Sequence, residues 1–548
     1  MKILLTAINA KYIHSNLAVY SLKAAAGVFG EQVEIGEYTI NQKTEQILKD
    51  IYRRQPDVVA FSCYIWNRRM VEELIRELPK VLPGVRLWAG GPEVTYDARA
   101  FLEACPKAAG VMRGEGEETF CRLAAYYIEG ECLLSGIRGL AYRGEDGRIH
   151  ETEEREPADM DRLPFACENP ERFTNRIVYY ESSRGCPFRC SYCLSSVERQ
   201  VRFRSMELVE KELLFFLKAQ VPQVKFVDRT FNLDPGRTAR LWQWLLEHDN
   251  GITNFHFEIG ADLLTEEELA IMSRMRPGLI QLEIGVQSTN GDTIRGIDRT
   301  MDLERLKAAV RRIKGFHNIH QHLDLIAGLP FEDLKSFRRS FDEVYELEPE
   351  QLQLGFLKVL KGSKMYERAS DYGILCCDGP PYEVLSTRWL SYGDVLLLKG
   401  VEEMVEIYYN SHQFGRTLKE LLKRYKSPFD LFHELAVYYE DRGYDQISHS
   451  RMARYEILRE WLKQKGWMRP VYDQCMVYDL YARENLKSRP SFAADLNPYR
   501  EKLKEYEKHY GKRVHVEIFL CEEGPRYVLF DYERRDPLTK EAHVEVLH

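Results

Sequence analysis

Short apolar runs alternate with amphipathic stretches over the first 150 residues. The apolar runs predict β-strands, and stretches with apolar residues every three to four positions, such as 17–28 and 68–78, predict helices. Strands that alternate with helices form a parallel sheet with helices on both faces. We therefore predict an α/β fold that begins with a doubly wound, Rossmann-like domain over residues 1–135, with strands at 2–8, 33–39, 57–64, 85–89 and 110–113.

A different pattern follows this domain. Residues 139–143 and 148–151 flank a Gly-Glu-Asp-Gly sequence and predict a β-hairpin, and the acidic, proline-containing run 151–164 is typical of an exposed linker. We assign residues 136–175 to this hairpin and linker.

The alternation of strands and helices restarts at residue 176 and continues to residue 370. Six strand–helix units predict a partial (β/α)6 barrel, and barrels of this kind carry their chemistry at the carboxyl ends of the strands. The predicted strands are 177–183, 222–228, 254–260, 279–286, 320–327 and 352–359.

The pattern changes again in residues 371–548. Helices are predicted at 388–411, 414–425, 428–441 and 454–466, and 514–519 with 526–532 predict a terminal β-hairpin, to which 543–547 would add a third strand. This mostly helical domain either lies over the barrel mouth and shapes a substrate pocket or is a packing or dimerisation module.

Composition narrows the class of protein. A net charge of −8 over 548 residues argues against a strongly nucleic-acid-binding surface. No apolar run approaches the roughly 20 residues of a membrane span, and the first residues form a short strand-like run unlike a signal peptide. The 12 cysteines show no disulfide-like pattern, which predicts a reducing compartment, the cytoplasm.

Three cysteines stand together in a C-x3-C-x2-C arrangement directly after the first barrel strand. They are Cys186, Cys190 and Cys193. Thiolates are the usual ligands of iron–sulfur clusters, which normally take four, so three from one loop leave one iron open. A zinc site and three unrelated thiols are the alternatives, although no second Cys/His pair of the kind zinc sites use is obvious.

This cysteine loop, with the aromatic Tyr192 before its last cysteine, resembles that of the radical S-adenosylmethionine (SAM) superfamily. The resemblance implies a 4Fe-4S cluster held by Cys186, Cys190 and Cys193, whose open iron chelates the amino and carboxylate groups of SAM. An electron from the cluster would cleave SAM to a 5′-deoxyadenosyl radical that abstracts hydrogen from substrate. An external reductant such as flavodoxin or ferredoxin is implied as partner.

The same resemblance implies SAM contacts at the ends of the barrel strands. Asp228 closes the second strand on the side of the SAM amino group, and Glu258 lies in the third, where the family contacts ribose and carboxylate. Alternatively, the inward carboxylates of the barrel only pair with Arg184 or Arg204. The predicted SAM-binding residues are Tyr192, Asp228, Glu258, Gln287 and Asp324.

Small and polar residues follow the strands of the N-terminal domain. A Gly-Gly-Pro sequence follows the fourth strand, and Arg-Gly-Glu-Gly-Glu-x-Thr-Phe follows the fifth. This set resembles the cobalamin-binding domain of one large radical SAM subfamily, in a branch whose members carry an extra C-terminal domain. The resemblance implies a cobalamin site at Asn9, Ser62, Tyr64, Gly90, Gly91, Gly114 and Glu115.

The N-terminal domain departs from ordinary corrinoid domains in one respect. It has no Asp-x-His-x-x-Gly sequence, so no histidine is placed to bind cobalt from below, and we interpret His14 as structural. A domain that kept the fold and lost cobalamin is the alternative.

These resemblances imply a cobalamin-type radical SAM enzyme, with methyl transfer from methylcobalamin to an unactivated carbon as the leading function. The alternative reaction class is a radical lyase, cyclase or rearrangement enzyme in which cobalamin is absent or does not transfer methyl. A third, non-enzymatic hypothesis is a redox or corrinoid sensor. The sequence identifies neither the substrate, small molecule or peptide, nor a catalytic side chain.

Overall fold

A computed structural model describes residues 1–130, 132–167, 173, 176–510, 513–521 and 524–547. The chain divides into two compact units. The first contains Met1–Glu283, Asp292–Ala309 and Phe356–Arg388, and the second contains Ile284–Gly291, Val310–Gly355 and Trp389–His548. Part of the predicted linker, 168–172 and 174–175, lies outside the described residues.

The first unit begins with a seven-stranded sheet in the order β2-β1-β3-β4-β5-β6-β7. Strands β1 to β5 are parallel, and β1 is buried along its whole length because helices cover both faces of the sheet. The predicted doubly wound fold is confirmed. Its elements are β1 Ile3–Asn9, α1 Leu17–Ala25, β2 Val33–Thr39, α2 Thr44–Arg54, β3 Val58–Ser62, α3 Arg68–Val81, β4 Arg86–Gly90, α4 Pro92–Thr95, α5 Ala98–Ala104, β5 Gly110–Met112, α6 Glu117–Ile128, β6 Leu140–Arg143 and β7 Ile149–Glu151.

The predicted hairpin is part of this sheet. Strand β6 pairs antiparallel with β5, with Gly110 opposite Tyr142, and β7 continues the sheet. The edge of β5 would otherwise be open, and the hairpin covers it.

The barrel strands follow. β8, β11 and β12 are neighbouring parallel strands of the first unit, and the order within the second unit is β15-β14-β13. All six predicted strands are present. The elements are β8 Val178–Tyr180, β9 Ser183–Arg184, β10 Arg202–Phe203, α7 Met206–Lys218, β11 Gln223–Phe226, α8 Pro235–Glu247, β12 Asn254–Ile259, α9 Glu266–Met272, β13 Ile280–Gln287, α10 Gly291–Gly296, α11 Leu303–Lys314, β14 His320–Ala327, α12 Leu334–Tyr345, β15 Gln351–Phe356, α13 Lys364–Glu367, β16 Leu375–Cys376 and β17 Val384–Ser386.

The remainder of the second unit is helical and ends in a three-stranded antiparallel sheet in the order β18-β19-β20. The predicted hairpin and third strand are confirmed, while two of its turn residues, 522 and 523, lie outside the described residues. The elements are α14 Tyr392–Met404 with a π-helical extension Val405–Asn410, α15 Gly415–Leu422, α16 Pro428–Asp441, α17 Arg451–Gln464, α18 Pro470–Arg483, α19 Arg500–Tyr510, β18 Val514–Cys521, β19 Gly524–Arg535 and β20 Ala542–Leu547.

Two of these helices, α18 and α19, were not predicted. Proline at the first position of α18 is a start signal that the sequence does contain. Among the described residues, no helix is both long enough and apolar enough to cross a bilayer.

Candidate functional site

The three cysteines of the C-x3-C-x2-C sequence lie on a loop, 185–201, whose two ends are held together. Strands β9 and β10 pair antiparallel, with Arg184 opposite Arg202, and so close the base of the loop. The predicted strand 177–183 is therefore split into β8 and β9. We call residues 185–201 the cluster loop.

Gly185 makes the tight start of the cluster loop possible. Its φ is +92°, and a Cβ there would lie 2.2 Å from the Gln200 carbonyl oxygen. Immediately after it, the Cys186 amide donates a hydrogen bond to the Glu198 carbonyl at 2.9 Å. Only glycine fits this close approach of two backbone segments.

The three thiols are unpaired by disulfides, with Cys186 and Cys190 buried and Cys193 half-buried. Burial raises the pKa of the Cys186 thiol, and the charges of Cys193 and Cys190 add to the shift. Three free thiols on one short loop fit an iron–sulfur cluster with three protein ligands.

Arg299 is a contact of the cluster loop that sequence reasoning missed. Its Nη1 donates to the Sγ of Cys190 at 3.7 Å and to the Tyr192 hydroxyl at 3.2 Å. A guanidinium therefore lies beside one of the three thiols and beside the aromatic residue between Cys190 and Cys193.

Asp228, predicted beside the SAM amino group, is fully buried beneath the start of β9. Its carboxylate accepts from the Ser182 amide at 2.9 Å and from the Ser182 and Ser183 hydroxyls at 2.7 and 2.6 Å. Burial raises the pKa of Asp228, although these three donors oppose the shift. In this structure the side chain positions the strand that leads into the cluster loop, and its contact with SAM stays a prediction.

A cavity of about 520 Å³ opens in the first unit, where carboxyl ends of strands from the N-terminal sheet and the barrel face each other. Such edges are where open α/β sheets and barrels bind ligands. Of the predicted residues in this unit, Asn9, Tyr64 and Glu258 line the cavity. Other lining residues include His14, Trp66, Glu117, Tyr179, Glu181, Arg184, Lys225 and Arg229.

The N-terminal wall of the cavity is built by loops after β1 and β3. The rings of Tyr64 and Trp66 stack at 4.5 Å, and Trp66 Nε1 donates to the Ile8 carbonyl at 3.0 Å. The Asn9 amide donates to Glu37 at 3.1 Å and to the His14 carbonyl at 3.0 Å. These bonds fix the wall without a ligand.

The predicted glycines of the cobalamin site differ in their surroundings. Gly91 has φ +108°, and a Cβ there would lie 2.6 Å from the Cys63 carbonyl, so backbone packing alone requires glycine. Gly114 has φ +71° and no atom within 4 Å of an added Cβ, which leaves space for a ligand to approach its backbone. Gly90 would make only ordinary contacts, at 3.5 Å. The Ser62 hydroxyl bonds to Asn16 at 3.4 Å.

His14 and Tyr179 form a polar pair on the cavity wall. The ring nitrogen Nδ1 of His14 lies 2.7 Å from the Tyr179 hydroxyl. Burial, with the positive charges of Lys11 and Lys225, lowers the pKa of His14, which keeps the ring neutral at pH 7. We interpret His14 as bound to Tyr179, in accord with the structural role expected from the sequence.

Lys225 is another cavity residue that sequence reasoning did not single out. Its Nζ donates to Glu283 at 2.8 Å and lies 3.9 Å from Glu258. Burial alone would lower the pKa of Lys225, but the Glu283 carboxylate raises it above the usual value. Glu258 thus faces an ammonium group across the cavity floor.

Two predicted SAM contacts belong to the second unit. Gln287 ends β13 with φ +70°, and its buried Oε1 has no hydrogen-bond partner within the described part of the chain. The Asp324 carboxylate lies 3.0 Å from His322 Nε2. The contacts of both residues with SAM stay predictions.

The alternative that some barrel carboxylates pair with Arg184 or Arg204 applies to Glu181, at the end of the first barrel strand, whereas Asp228 accepts from Ser182 and Ser183. Arg204 pairs with Glu212 on α7 at 2.6 Å. Arg184 pairs instead with Glu181 and with two acidic residues of the N-terminal domain, Glu115 and Glu117.

Three protein families match consecutive parts of the chain. The B12 binding domain matches residues 3–124, the radical SAM superfamily matches residues 180–344, and the protein of unknown function DUF4080 matches residues 370–536.

Several similar proteins are described as cobalamin-dependent radical SAM enzymes. The cobalamin-dependent radical SAM methyltransferase TokK of Streptomyces tokunonensis is 26% identical over 349 residues, which cover 58% of this chain and 50% of TokK. The chain thus spans about half the length of TokK. Two solved structures, each under 25% identical, share the fold. OxsB with aqua-cobalamin bound has a TM-score of 0.61 and 16% identity, and the match covers 92% of this chain and 84% of OxsB. TsrM from Kitasatospora setae, with cobalamin and a [4Fe-4S] cluster bound, has a TM-score of 0.55 and 18% identity, and the match covers 70% of this chain and 79% of TsrM.

The domain matches agree with the site described above. The cluster loop and its cysteines fall within the radical SAM match, and Tyr64 and Trp66 of the cavity's N-terminal wall fall within the B12-binding match. The 4Fe-4S cluster, SAM and cobalamin are the cofactors of these families. This chain therefore carries a B12-binding domain, a radical SAM domain and a DUF4080 domain in succession.

Proposed function

We propose that this protein is a cobalamin-dependent radical SAM enzyme that transfers a methyl group to an unactivated carbon. One observation carries the proposal: a loop with three free cysteines lies in the same compact unit as a cavity lined by residues from the N-terminal sheet and from the barrel strands. When bound, the cluster supplies the electron that cleaves SAM, and cobalamin carries the methyl group.

The side chains of this protein would hold and orient these groups. Cys186, Cys190 and Cys193 are the proposed cluster ligands, and Arg299 holds Cys190 and Tyr192 in place. We retain the SAM contacts as proposals, on Tyr192, Asp228, Glu258, Gln287 and Asp324. The proposed cobalamin contacts are Asn9, Ser62, Tyr64, Gly90, Gly91 and Gly114.

We propose domain boundaries at 1–135, 136–175, 176–370 and 371–548, because the periodicity of the chain changes at these points. The cytoplasm is the proposed compartment, since all 12 cysteines are free thiols and a cluster site needs reduced ligands. A reductant such as flavodoxin or ferredoxin would supply the electron.

SAM cleavage tests the radical half of the proposal. Full-length protein reconstituted with iron and sulfide should convert SAM to 5′-deoxyadenosine when dithionite is added, as measured by chromatography. Protein that assembles a cluster and forms no 5′-deoxyadenosine would contradict the proposal. Product formation without any retention of cobalamin would favour a radical lyase or cyclase.

A larger side chain at Gly114 tests the proposed binding of cobalamin. We expect Gly114→Leu to lose hydroxocobalamin on gel filtration while wild-type protein retains it, because the new side chain occupies the space that a ligand would need. Gly130→Leu is the matched control, since Gly130 has φ +72° and equally open surroundings. Both substitutions carry the same backbone strain, so equal cobalamin retention by the two variants would refute a contact at Gly114.

A further inference from the structure

Glu115 of the Arg-Gly-Glu-Gly-Glu segment is bound by two arginines. Arg202 pairs with both of its oxygens, with Nη1 at 3.4 Å from Oε2, and Arg184 Nη1 lies 3.3 Å from Oε2. The Ala158 amide also donates to Oε2, at 2.8 Å. The carboxylate that the sequence assigns to cobalamin is thus already surrounded by protein donors.

The two arginines are the residues that close the cluster loop. Arg184 on β9 and Arg202 on β10 stand directly opposite each other. Like charges at such a cross-strand position repel and destabilise the pairing. Glu115 binds both guanidinium groups and so removes the repulsion at the base of the cluster loop.

Neighbouring carboxylates complete the cluster of charges. Glu117 and Glu181 also pair with Arg184, and Glu198, within the cluster loop, pairs with Arg202. Of these four carboxylates, Glu115 is the one that pairs with both Arg184 and Arg202. Burial alone would raise the pKa of Glu115, but the bond to Arg202 and the charge of Arg184 hold it below the usual value, so the group stays ionised.

We propose that Glu115 is a positioning residue that locks the base of the cluster loop, rather than a contact of cobalamin. This inference rests on the proposed function, because it assumes that the loop holds the cluster. It also ties the backbone at Gly114, next to Glu115, to the strands that start and end the cluster loop. The two cofactor sites are then mechanically connected through one carboxylate.

The rate at which a chelator removes iron from the reconstituted full-length protein tests this role. We expect Glu115→Gln to lose its absorbance near 400 nm about tenfold faster than wild-type protein, an effect typical of a broken, coupled charge network. Retention of hydroxocobalamin should be unchanged. Glu118→Gln is the matched control: Glu118 lies in the same segment, is 62% exposed and pairs with Arg155. It should lose iron at the wild-type rate.

Arg202→Met tests the same contact from the other side and carries the experiment if Glu115→Gln does not fold. It breaks the bridge but also removes one of the two like charges, so it should accelerate iron loss by less than Glu115→Gln does, and the double variant should be no faster than Glu115→Gln, because without Arg202 there is no repulsion left for Glu115 to relieve. Iron loss at the wild-type rate in both single variants would overturn the inference. Loss of hydroxocobalamin with a stable cluster in Glu115→Gln would also overturn it, in favour of a cobalamin contact. Failure of wild-type protein to assemble a cluster would instead refute the proposed function.

Discussion

Replacement of Cys190 with alanine should abolish cluster assembly and SAM cleavage together. Cys186, Cys190 and Cys193 are the three thiols of the cluster loop, and two thiolates leave a second iron without a protein ligand. Cys190 is also the thiol that Arg299 contacts, so its loss leaves that guanidinium without its sulfur partner. We expect 5′-deoxyadenosine formation to fall by more than roughly 100-fold, since even indirect supports of metal sites cost 10–100-fold.

Iron content and absorbance near 400 nm after anaerobic reconstitution measure the first effect, and 5′-deoxyadenosine measures the second. Cys121→Ala is the matched control, because Cys121 is a half-buried thiol on α6, in the same unit and outside the cluster loop. It should retain both signals. A Cys190→Ala protein with wild-type iron content would place the ligands elsewhere.

Most of the strands could be predicted because they are short apolar runs that alternate with amphipathic helical stretches. Strand β14 begins and ends at the predicted residues, 320 and 327, since its apolar positions face a buried layer. The pairing of β9 with β10 could not be predicted. Each strand is two residues long, too short to show any period, and the two are separated by the whole cluster loop.

In the candidate site, too, residues close together in sequence could be predicted, and contacts between residues far apart in sequence could not. The spacing of Cys186, Cys190 and Cys193 within eight residues predicts a cluster because one loop carries all three. Arg299 lies 109 residues beyond Cys190, and Lys225 meets Glu283 over 58 residues. Such pairs depend on which strand ends meet in space, and no spacing in the sequence encodes them.

Glu115 illustrates how a sequence pattern can be right about location and incomplete about role. The Arg-Gly-Glu-Gly-Glu segment does follow β5, where ligands of a doubly wound sheet bind. Its first glutamate, Glu115, nevertheless contacts Arg184 and Arg202, 69 and 87 residues further along the chain. A carboxylate in a ligand-binding loop can therefore support the neighbouring site instead of touching the ligand.

Gly185→Ala should prevent the cluster loop from closing. The added methyl group would lie 2.2 Å from the Gln200 carbonyl oxygen, and backbone atoms cannot move away as a flexible side chain can. Overpacking of this kind costs about 1–3 kcal/mol, in addition to about 1–2 kcal/mol for an alanine in a left-handed conformation. Because β9 and β10 must separate to relieve the contact, we expect the cost to fall on the loop that carries the thiols, and cluster content after reconstitution should drop severalfold.

Gly84→Ala separates the cost of the left-handed backbone conformation from the cost of overpacking. Gly84 has φ +91°, nearly the same as the +92° of Gly185, and no atom lies within 4 Å of its added Cβ. Gly84→Ala should therefore carry only the cost of an alanine in a left-handed conformation, seen as a small decrease in the urea concentration at the midpoint of unfolding. It should bind iron as wild-type protein does. Equal iron content in Gly185→Ala and Gly84→Ala would show that β9 and β10 can separate without disturbing the thiols. The closed base of the loop would then be a consequence of cluster binding and not a condition for it, because three sulfur–iron bonds would themselves hold the two strands together.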